Sequence, residues 1–276
     1  MPESLFFAFA MFRPSLDAGL KSRAASAPRV RTEHESFPPD FDSLLDDYDR
    51  YRTGYGPALY DAVFAATPPR PRALDVGAGT GLAARELAPR CRAIVAIDVA
   101  PAMLRRCPVG ATALARAEAL PFRDGAFDLV SIAQAFHWME PAPTYRELAR
   151  VLAPGGVAAV WWKYEAIGDK TAEAADAAFE RVVGKAAPVT PLETKPLPGL
   201  ADSIFSGASP LVLRWNVSTT VERYVGYHAS RENLRRAAGA LRERVLAEME
   251  RDLRAMHPDG DFTMPYEQRL WLLRRP

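Results

Sequence analysis

The sequence predicts an α/β protein whose core is a doubly wound, mostly parallel sheet. From residue 72 onward, short apolar segments recur without strict polar alternation, which is typical of strands buried on both faces. Segments with helical spacing of apolar residues separate these strands, as in successive strand–helix units. Two late strand-like segments predict an extension of one sheet edge by an antiparallel hairpin.

The predicted strands are RALDV (72–76), AIVAIDV (93–99), FDLVSIAQ (127–134), VAAVWW (157–162), SPLVLRWNVST (209–219) and FTMPYEQRLWLLRR (262–275). The predicted helices are two short ones within 41–67 joined around Thr53–Pro57, then 81–89, 100–107, 143–153, 169–186, 220–230 and one long helix over 231–257. That long helix carries one apolar stripe, formed by Leu234, Leu241, Val245, Met249, Leu253 and Met256.

The first 36 residues are left out of the predicted fold. Residues 13–31 carry five basic residues against the single acid Asp17, with scattered serine and alanine. The apolar segment Leu5–Phe12 has no basic region before it, which disfavours a secretory signal. We expect residues 1–36 to form a disordered extension. A proline-rich segment at 188–201 predicts an exposed loop.

Composition narrows the classes of partner and compartment. The 276 residues carry a formal net charge of +1, which predicts no general attraction to nucleic acid or to acidic membranes. Cys91 and Cys107 belong to no CxxC or Cys/His cluster, which indicates a reducing compartment and argues against structural zinc. No apolar stretch is long enough to span a bilayer. We expect a cytoplasmic protein with no resident metal, and the sequence leaves its oligomeric state open.

A glycine-rich turn after the first predicted strand indicates a nucleotide-derived cofactor. Gly77, Gly79 and Gly81 alternate in "ALDVGAGTGL", where missing Cβ atoms allow positive φ and close approach of a ligand. The dinucleotide fingerprint is G-x-G-x-x-G, with a pyrophosphate held at the helix N-terminus. The spacing here is G-x-G-x-G, which favours a ligand without pyrophosphate.

Two carboxylates near this turn narrow the choice of ligand. Asp75 precedes the glycines, where its charge would repel a phosphate but suit an ammonium group. Asp98 ends the next predicted strand, where a carboxylate can bind both hydroxyls of a ribose. An ammonium group, a ribose and no phosphate together describe S-adenosylmethionine. The sequence therefore predicts this cofactor.

An ordered series of motifs resembles the class I S-adenosylmethionine-dependent methyltransferases. The motifs are "LDVGAGTG", "AIDVAPAML", "AEALPF…FDLV", "AQAFHW" and "ELARVLAPGG", and the resemblance covers roughly residues 41–276. The chain is most similar to the methyltransferase type 11 branch, with its trans-aconitate-methyltransferase-like and ubiquinone-biosynthesis-like enzymes. The resemblance implies a seven-stranded Rossmann-like sheet in one domain, 37–276. Its parts are an N-terminal helical lid (37–70), a cofactor-binding core (71–163), a variable substrate-side insertion (164–207) and a C-terminal sheet edge with helices (208–276).

The resemblance also assigns roles to residues that follow the first four strands. The implied cofactor-binding residues are Asp75, Gly77, Ala78, Gly79, Gly81, Asp98, Val99, Met103, Ala117, Glu118 and Gln134. Asp98 would hold the ribose, Ala117 would present its backbone to the adenine, and Gln134 would lie under the sulfonium. Related enzymes often have an acid before that alanine, whereas this chain has Arg116.

The acceptor side of the site is assigned by position and by resemblance. His137 and Trp138 follow the fourth strand, on the side where ligands bind in open α/β sheets. His137 is the candidate general base for an acceptor that must lose a proton. Tyr48, Arg52 and Tyr55 match the family segment Y-x-x-x-R-P-x-Y-P and would form a lid, with Arg52 able to hold an acidic substrate. Purely structural roles remain open for all five residues.

In that segment Thr53 and Gly56 stand where the family usually has prolines.

The function expected from these observations is methyl transfer to a small-molecule acceptor, at a carboxylate or hydroxyl oxygen. Two other readings stay open: a non-methylating protein that binds the same cofactor, such as a cyclase or binding module, and a nicotinamide-dependent oxidoreductase. Protein or nucleic-acid methylation is disfavoured by the near-neutral charge and by "SIAQAFHW" at the place of an N/D-P-P-Y/F motif.

Overall fold

The computed structural model describes residues 41–187, 197–205 and 208–276. The predicted extension at 1–36 and most of the predicted loop at 188–201 fall outside these residues. Within the described part of the chain, no helix combines the length and the apolar character needed to cross a membrane.

A single seven-stranded sheet forms the centre of the fold, in the order β3-β2-β1-β4-β5-β7-β6. The first five strands pair in parallel, and β7 runs antiparallel to both of its neighbours. This arrangement confirms the predicted doubly wound α/β sheet with a late antiparallel edge. The strands are β1 (Arg72–Val76), β2 (Ala93–Asp98), β3 (Thr112–Leu114), β4 (Phe127–Ala133), β5 (Leu152–Glu165), β6 (Leu211–Thr220) and β7 (Asp261–Arg274).

Most helices lie where the apolar spacing predicted them, before β1 or between the strands. They are α1 (Phe41–Tyr51), α2 (Pro57–Ala65), α3 (Ala84–Leu87), α4 (Pro101–Leu104), α5 (Pro141–Val151), α6 (Lys170–Val183), α7 (Val221–Ala229), α8 (Glu232–Ala238) and α9 (Arg242–Met256). Short 3-10 turns at Ala88–Arg90, Phe136–Trp138 and Gly239–Leu241 complete them. The two short N-terminal helices are confirmed, with proline first in α2 as its fixed φ favours.

The prediction of one long helix over 231–257 is wrong. Gly239 has φ 55° and ψ −128°, a conformation outside the helical region, and it separates α8 from α9. Leu241 lies in the turn between them and is 39% exposed, while Met256 ends α9 and is 40% exposed. The rest of the predicted stripe is buried: Leu234, Val245, Met249 and Leu253.

Strand β5 extends beyond the predicted strand, 157–162, at both ends. It begins at Leu152, before the predicted start at Val157, and includes Pro154 and the pair Gly155–Gly156. It also runs three residues beyond Trp162, so that Lys163 and Glu165 stand at its carboxyl end. Side chains alternate along a strand, so both face the same side of the sheet as Trp161.

Apolar clusters cover both faces of the sheet. Leu74, Val76 and Ile132 belong to one cluster, and Leu59 of α2 packs with Trp161 in the cluster on the other face. The carboxyl ends of the parallel strands β1, β2, β4 and β5 meet at a single edge, which is where ligands bind in open α/β sheets. The predicted site residues lie at this edge.

Candidate cofactor and acceptor site

The glycine turn after β1 has the backbone that its spacing predicts. Gly77, Gly79 and Gly81 all adopt positive φ, at 68°, 57° and 82°. The turn is fixed from within and from the neighbouring strand, since Gly81 N–H donates to the Ala78 carbonyl and Ala78 N–H donates to the Ile97 carbonyl, both at 2.9 Å. Residues that have a Cβ rarely adopt this backbone conformation, so replacing any of these glycines would strain the turn.

Two of the three glycines are also required by close packing. A Cβ on Gly77 would lie 2.6 Å from the Cβ of Ala135, and one on Gly81 would lie 2.6 Å from the Cys107 sulfur. A Cβ on Gly79 would meet only ordinary contacts, with the Met103 sulfur at 3.8 Å and the Tyr48 hydroxyl at 4.0 Å. Gly79 is therefore the glycine whose open face lies toward the lid.

Asp98 joins the end of β2 to the glycine turn. Its Oδ2 accepts a hydrogen bond from Gly79 N–H at 2.8 Å, and its Oδ1 accepts one from Ala100 N–H at 2.9 Å. The second bond fixes the approach to α4. Each carboxylate oxygen has more than one lone pair, so these bonds leave acceptor capacity for hydroxyls of a ligand.

Asp75 lies beneath the glycine turn and is fully buried. Its Oδ1 accepts from the Ser131 hydroxyl on β4 at 2.6 Å, while Oδ2 has no hydrogen-bond partner. Burial and, to a smaller extent, the charge of Asp98 raise the pKa of Asp75 to about 7, while the Ser131 hydroxyl and the backbone N–H of Ala84 oppose this shift. A buried carboxylate oxygen without a partner is costly, and it is the atom that a cation or a water at this site would satisfy.

Three of the implied cofactor-binding residues, Val99, Ala117 and Glu118, occupy different surroundings. Val99 is 52% exposed just after β2, whereas Ala117 is 6% exposed and packs in the core. The Glu118 carboxylate accepts from Glu140 N–H at 2.9 Å, at the start of α5, and lies 3.4 Å from the Arg116 guanidinium. Glu118 therefore already has partners in the protein.

Gln134 stands at the end of β4 in a left-handed conformation, with φ 55°. This φ is uncommon outside glycine and is often found at functional sites. Its backbone N–H donates to the Trp161 carbonyl at 2.9 Å, and its side-chain amide donates to the Lys163 carbonyl at 3.2 Å. These bonds hold Gln134 against the end of β5.

His137 is held among indole rings in the 3-10 turn after β4. Its ring centroid lies 4.8 Å from that of Trp138 and 6.4 Å from that of Trp162. The Trp162 indole N–H donates to His137 Nδ1 at 3.3 Å. His137 is exposed at the site edge, and partial desolvation lowers its pKa below the ordinary value, which favours the neutral ring at pH 7. With Nδ1 accepting, a neutral ring carries its proton on Nε2.

The predicted lid residues lie on α1 and on the segment that follows it. The Arg52 guanidinium stacks on the rings of Tyr48 and Tyr227, 4.8 and 5.2 Å from their centroids, and its Nε and Nη2 donate to Ser230. The Tyr55 ring meets Trp161 edge to face at 5.5 Å. Arg52 is thus oriented by α7 and the residue that follows it.

Two residues of the site edge were missed by sequence reasoning. Lys163, at the end of β5, is 7% exposed and donates to the carbonyls of Thr53 and Gly54 at 2.8 and 3.1 Å. Gln268, its register partner on β7, accepts from Gly56 N–H at 2.9 Å. A charged residue at the carboxyl end of the apolar strand "VAAVWWK" was the signal available for Lys163.

A second missed group surrounds the last residue of β5. The Glu165 carboxylate accepts from the Tyr224 hydroxyl at 2.8 Å and lies 3.6 Å from His228 Nε2. Burial opposes ionisation of Glu165, but the neighbouring His228, Arg231 and Tyr224 bring its pKa below the ordinary value. These contacts tie α7 to the sheet.

The predicted site residues therefore fall into separate contact groups. Asp98, Gly79, Met103 and Tyr48 meet around the glycine turn. His137 belongs to a group with Trp138 and Trp162, and Gln134 contacts the end of β5. Within the described ranges of the chain, no three His, Cys, Asp or Glu side chains lie close enough to hold a metal ion.

Comparison with known proteins agrees with this geometry. The family described as a methyltransferase domain matches residues 74–160. An uncharacterised methyltransferase of Mycobacterium tuberculosis is 39% identical over 126 residues, which cover 44% of this chain and 51% of that protein. A malonyl-(acyl-carrier protein) O-methyltransferase of Halorhodospira halophila is 46% identical over 95 residues, 31% of this chain and 32% of that protein. The match spans about half the length (51%) of the first curated relatives.

A solved structure from Anaeromyxobacter dehalogenans, provisionally named a type II methyltransferase, has the same fold. It superposes with a TM-score of 0.64 at 21% identity, covering 81% of this chain and 98% of that chain. Residues 74–160 of this chain therefore match a methyltransferase domain, and the sheet order and the glycine turn with its two carboxylates agree with that match.

Proposed function

We propose that this protein transfers a methyl group from S-adenosylmethionine to an oxygen of a small-molecule acceptor. The observation that carries the proposal is the 2.8 Å hydrogen bond from Gly79 N–H to Asp98, which brings a glycine-rich turn and a carboxylate together at one sheet edge. S-adenosylhomocysteine would be the second product.

The residues at the turn fit this cofactor. Asp98 retains acceptor capacity for the ribose hydroxyls, and the buried Asp75 Oδ2 lacks a partner that an ammonium group or a bridging water would supply. When bound, S-adenosylmethionine supplies a methyl group that its sulfonium already activates. The protein must then bind both ligands, align them and exclude water, which are the tasks that proximity effects require.

We favour a nicotinamide-dependent reaction less than methyl transfer for this protein. The dinucleotide-binding sheet has the strand order 3-2-1-4-5-6, whereas here an antiparallel β7 lies between β5 and β6. The glycine spacing is also one residue short of the pyrophosphate fingerprint. Both features favour a cofactor without a pyrophosphate.

The surroundings of His137 favour a carboxylate acceptor over a hydroxyl. A carboxylate is ionised at pH 7 and needs no base, whereas a hydroxyl must lose its proton. Nδ1 of His137 accepts from the Trp162 indole, so the ring would have to give up this bond before it took a proton there. The similar O-methyltransferase from Halorhodospira halophila also supports an oxygen acceptor.

The lid residues have chemistry suited to an acidic acceptor. Arg52 is stacked between two tyrosine rings, and none of the ion pairs among the described residues includes it. Its positive charge is thus available to a substrate carboxylate that approaches the stack. Tyr48 and Tyr55 would limit the access of water from the same side.

The test is turnover of S-adenosylmethionine with a panel of acceptors. The purified protein is incubated with methyl-labelled S-adenosylmethionine and with carboxylic acids, acyl thioesters that carry a free carboxylate, phenols and alcohols. We expect S-adenosylhomocysteine and a labelled methyl ester with at least one carboxylate. Binding of the nucleoside with no turnover on any acceptor would favour the non-methylating alternative, and failure to bind would contradict the proposal.

A further inference from the structure

The four residues Thr53–Gly56, here called the strap, lie in the connection from α1 to α2 and are pinned to two neighbouring strands. The first pin is Lys163 on β5. Its ammonium donates to the Thr53 carbonyl at 2.8 Å, to the Thr53 hydroxyl and to the Gly54 carbonyl at 3.1 Å. An ammonium has three N–H donors, so the strap takes all of them.

The environment of Lys163 makes these contacts strong. The ammonium is almost fully buried and faces three aromatic rings, with the Tyr266 centroid at 4.6 Å and those of Tyr55 and Trp215 at 5.7 Å. Rings of this kind stabilise a cation that has left water. A buried cation whose donors were unmatched would be costly, so the strap carbonyls and Lys163 depend on each other.

The second pin is Gln268, which faces Lys163 in the register of β5 and β7. Its Oε1 accepts from Gly56 N–H at 2.9 Å. The approach is so close that a Cβ on Gly56 would lie 2.7 Å from Gln268 Nε2 and from Trp215. Only glycine fits at this point without displacing the strap.

The two pinned ends are the positions where this chain departs from the family segment. Thr53 and Gly56 replace prolines there. Proline at 53 would remove the hydroxyl that Lys163 contacts, and proline at 56 would remove the N–H that Gln268 accepts from. The two positions that lack the family's prolines are therefore the same two positions that Lys163 and Gln268 contact.

The strap connects these pins to the cofactor side of the site. Gly54 lies beside Leu82, which follows the glycine turn, at 3.9 Å from a Cβ placed on the glycine. Tyr48, one turn of α1 before the strap, approaches Gly79 with its hydroxyl. The Gln134 amide donates to the carbonyl of Lys163 itself, which ties the end of β4 to the same pin.

From these contacts we propose that Lys163 and Gln268 are positioning residues that latch the strap closed over the bound nucleoside. They act through Tyr48 and Tyr55 and do not touch the reacting atoms. This inference rests on the proposed function, because the retained ligand is the S-adenosyl nucleoside. Loosening the latch would speed ligand release and expose the strap without disturbing the glycine turn.

The test compares Lys163→Met and Gln268→Leu with Lys170→Met, which changes an exposed lysine at the start of α6. Two quantities are measured on the full chain: hydrogen exchange of the amides of Gly54 to Gly56, and the dissociation rate of S-adenosylhomocysteine. Gln268→Glu, which keeps an acceptor for Gly56 N–H, serves as the conservative variant. Thermal unfolding is recorded for every variant.

Both latch variants should exchange the strap amides faster and release S-adenosylhomocysteine roughly tenfold faster, as loss of a buried hydrogen bond implies. Lys170→Met should resemble the wild type, and Gln268→Glu should keep the slow exchange of Gly56, because a carboxyl oxygen still accepts from that N–H. If Lys163→Met does not fold, Gln268→Leu decides the question. Unchanged exchange in a folded latch variant would overturn the latch, and faster exchange with unchanged release would overturn the positioning role. If the wild type binds no S-adenosylhomocysteine, the proposed function fails, and the exchange of Gly56 alone still decides whether the latch exists.

Discussion

The carboxylate of Asp98 accepts a hydrogen bond from Gly79 N–H at 2.8 Å, which ties the end of β2 to the turn after β1. The same carboxylate also accepts from Ala100 N–H and so fixes the start of α4. One side chain thus organises both the glycine turn and the helix that follows the second strand. Removing Asp98 should therefore affect both ligand binding and stability, and these effects can be separated.

Asp98→Ala should weaken binding of S-adenosylhomocysteine roughly 100-fold, because two charge-assisted hydrogen bonds to ribose hydroxyls are lost. The matched control is Asp169→Ala at the N-terminus of α6. Asp169 also accepts two backbone N–H groups, from Thr171 and Ala172, but lies at the start of α6 and not beside the glycine turn. Both variants should lose about 1 kcal/mol of stability, because each removes a carboxylate that accepts two backbone N–H groups. Calorimetric titration should show weaker binding only for Asp98→Ala; equal loss in both would contradict the ribose role.

The burial of Asp75 predicts a particular dependence of stability on pH. Its pKa rises from the ordinary value of 3.8 to about 7 in the folded protein, so between these values the folded state holds a proton that the unfolded state has lost. The free energy of unfolding should therefore fall as pH rises from about 4 to about 7, and the penalty should be fully present above pH 7.

Asp75→Asn removes this titration and keeps a partner for Ser131. Urea unfolding at about pH 5 and about pH 8 should show a smaller decrease for the variant than for the wild type, and the variant should be the more stable protein at the higher pH. An identical pH dependence in the two proteins would mean that Asp75 does not titrate in this range.

The glycine turn predicts a large penalty for a side chain at Gly81. Gly81→Ala must accommodate φ 82° and a Cβ only 2.6 Å from the Cys107 sulfur and 2.7 Å from Pro108. Gly168→Ala is the control, because it has φ 77° with nothing within 4 Å. We expect a loss of about 1 kcal/mol for the control and of roughly 3 kcal/mol or more for Gly81→Ala. Similar losses in denaturant unfolding would show that close packing does not constrain the turn.

Replacing His137 distinguishes a carboxylate acceptor from a hydroxyl acceptor. His137→Gln should leave kcat for a carboxylate acceptor within about threefold, since no proton is removed. For a hydroxyl acceptor the same change should lower kcat on the order of 100-fold or more. Initial rates with the best acceptor of each class make the comparison. A large loss with a carboxylate would assign His137 a role other than that of a base.

The lowered pKa of Lys163 predicts that the strap loosens at alkaline pH. Burial and, to a smaller extent, the Arg52 cation lower its pKa to about 7, while Glu165 opposes the shift. Tyr55 and Tyr266 face the ammonium from the strap and from β7. Above this pKa the neutral amine has two donors for three acceptors, so exchange of the strap amides should accelerate beyond the intrinsic effect of pH. Lys163→Met should lack this additional acceleration.

Much of the fold could be predicted because the signals are local. Apolar strands, amphipathic helices and the alternating glycines each follow from a few neighbouring residues, and the sheet agrees with them. The prediction of one long helix over 231–257 was wrong because helical spacing of apolar residues continues across Gly239. Glycine is tolerated within helices often enough that its presence did not indicate a break. The pairing of Lys163 with Gln268 could not be predicted, since the register of two distant strands is set by tertiary packing.

The most direct test is calorimetric titration of the folded protein with S-adenosylmethionine and, separately, with NADH. The carboxylate-flanked glycine turn predicts saturable heat with S-adenosylmethionine at one site per chain and none with NADH. Saturable binding of NADH together with no heat from S-adenosylmethionine would contradict the account.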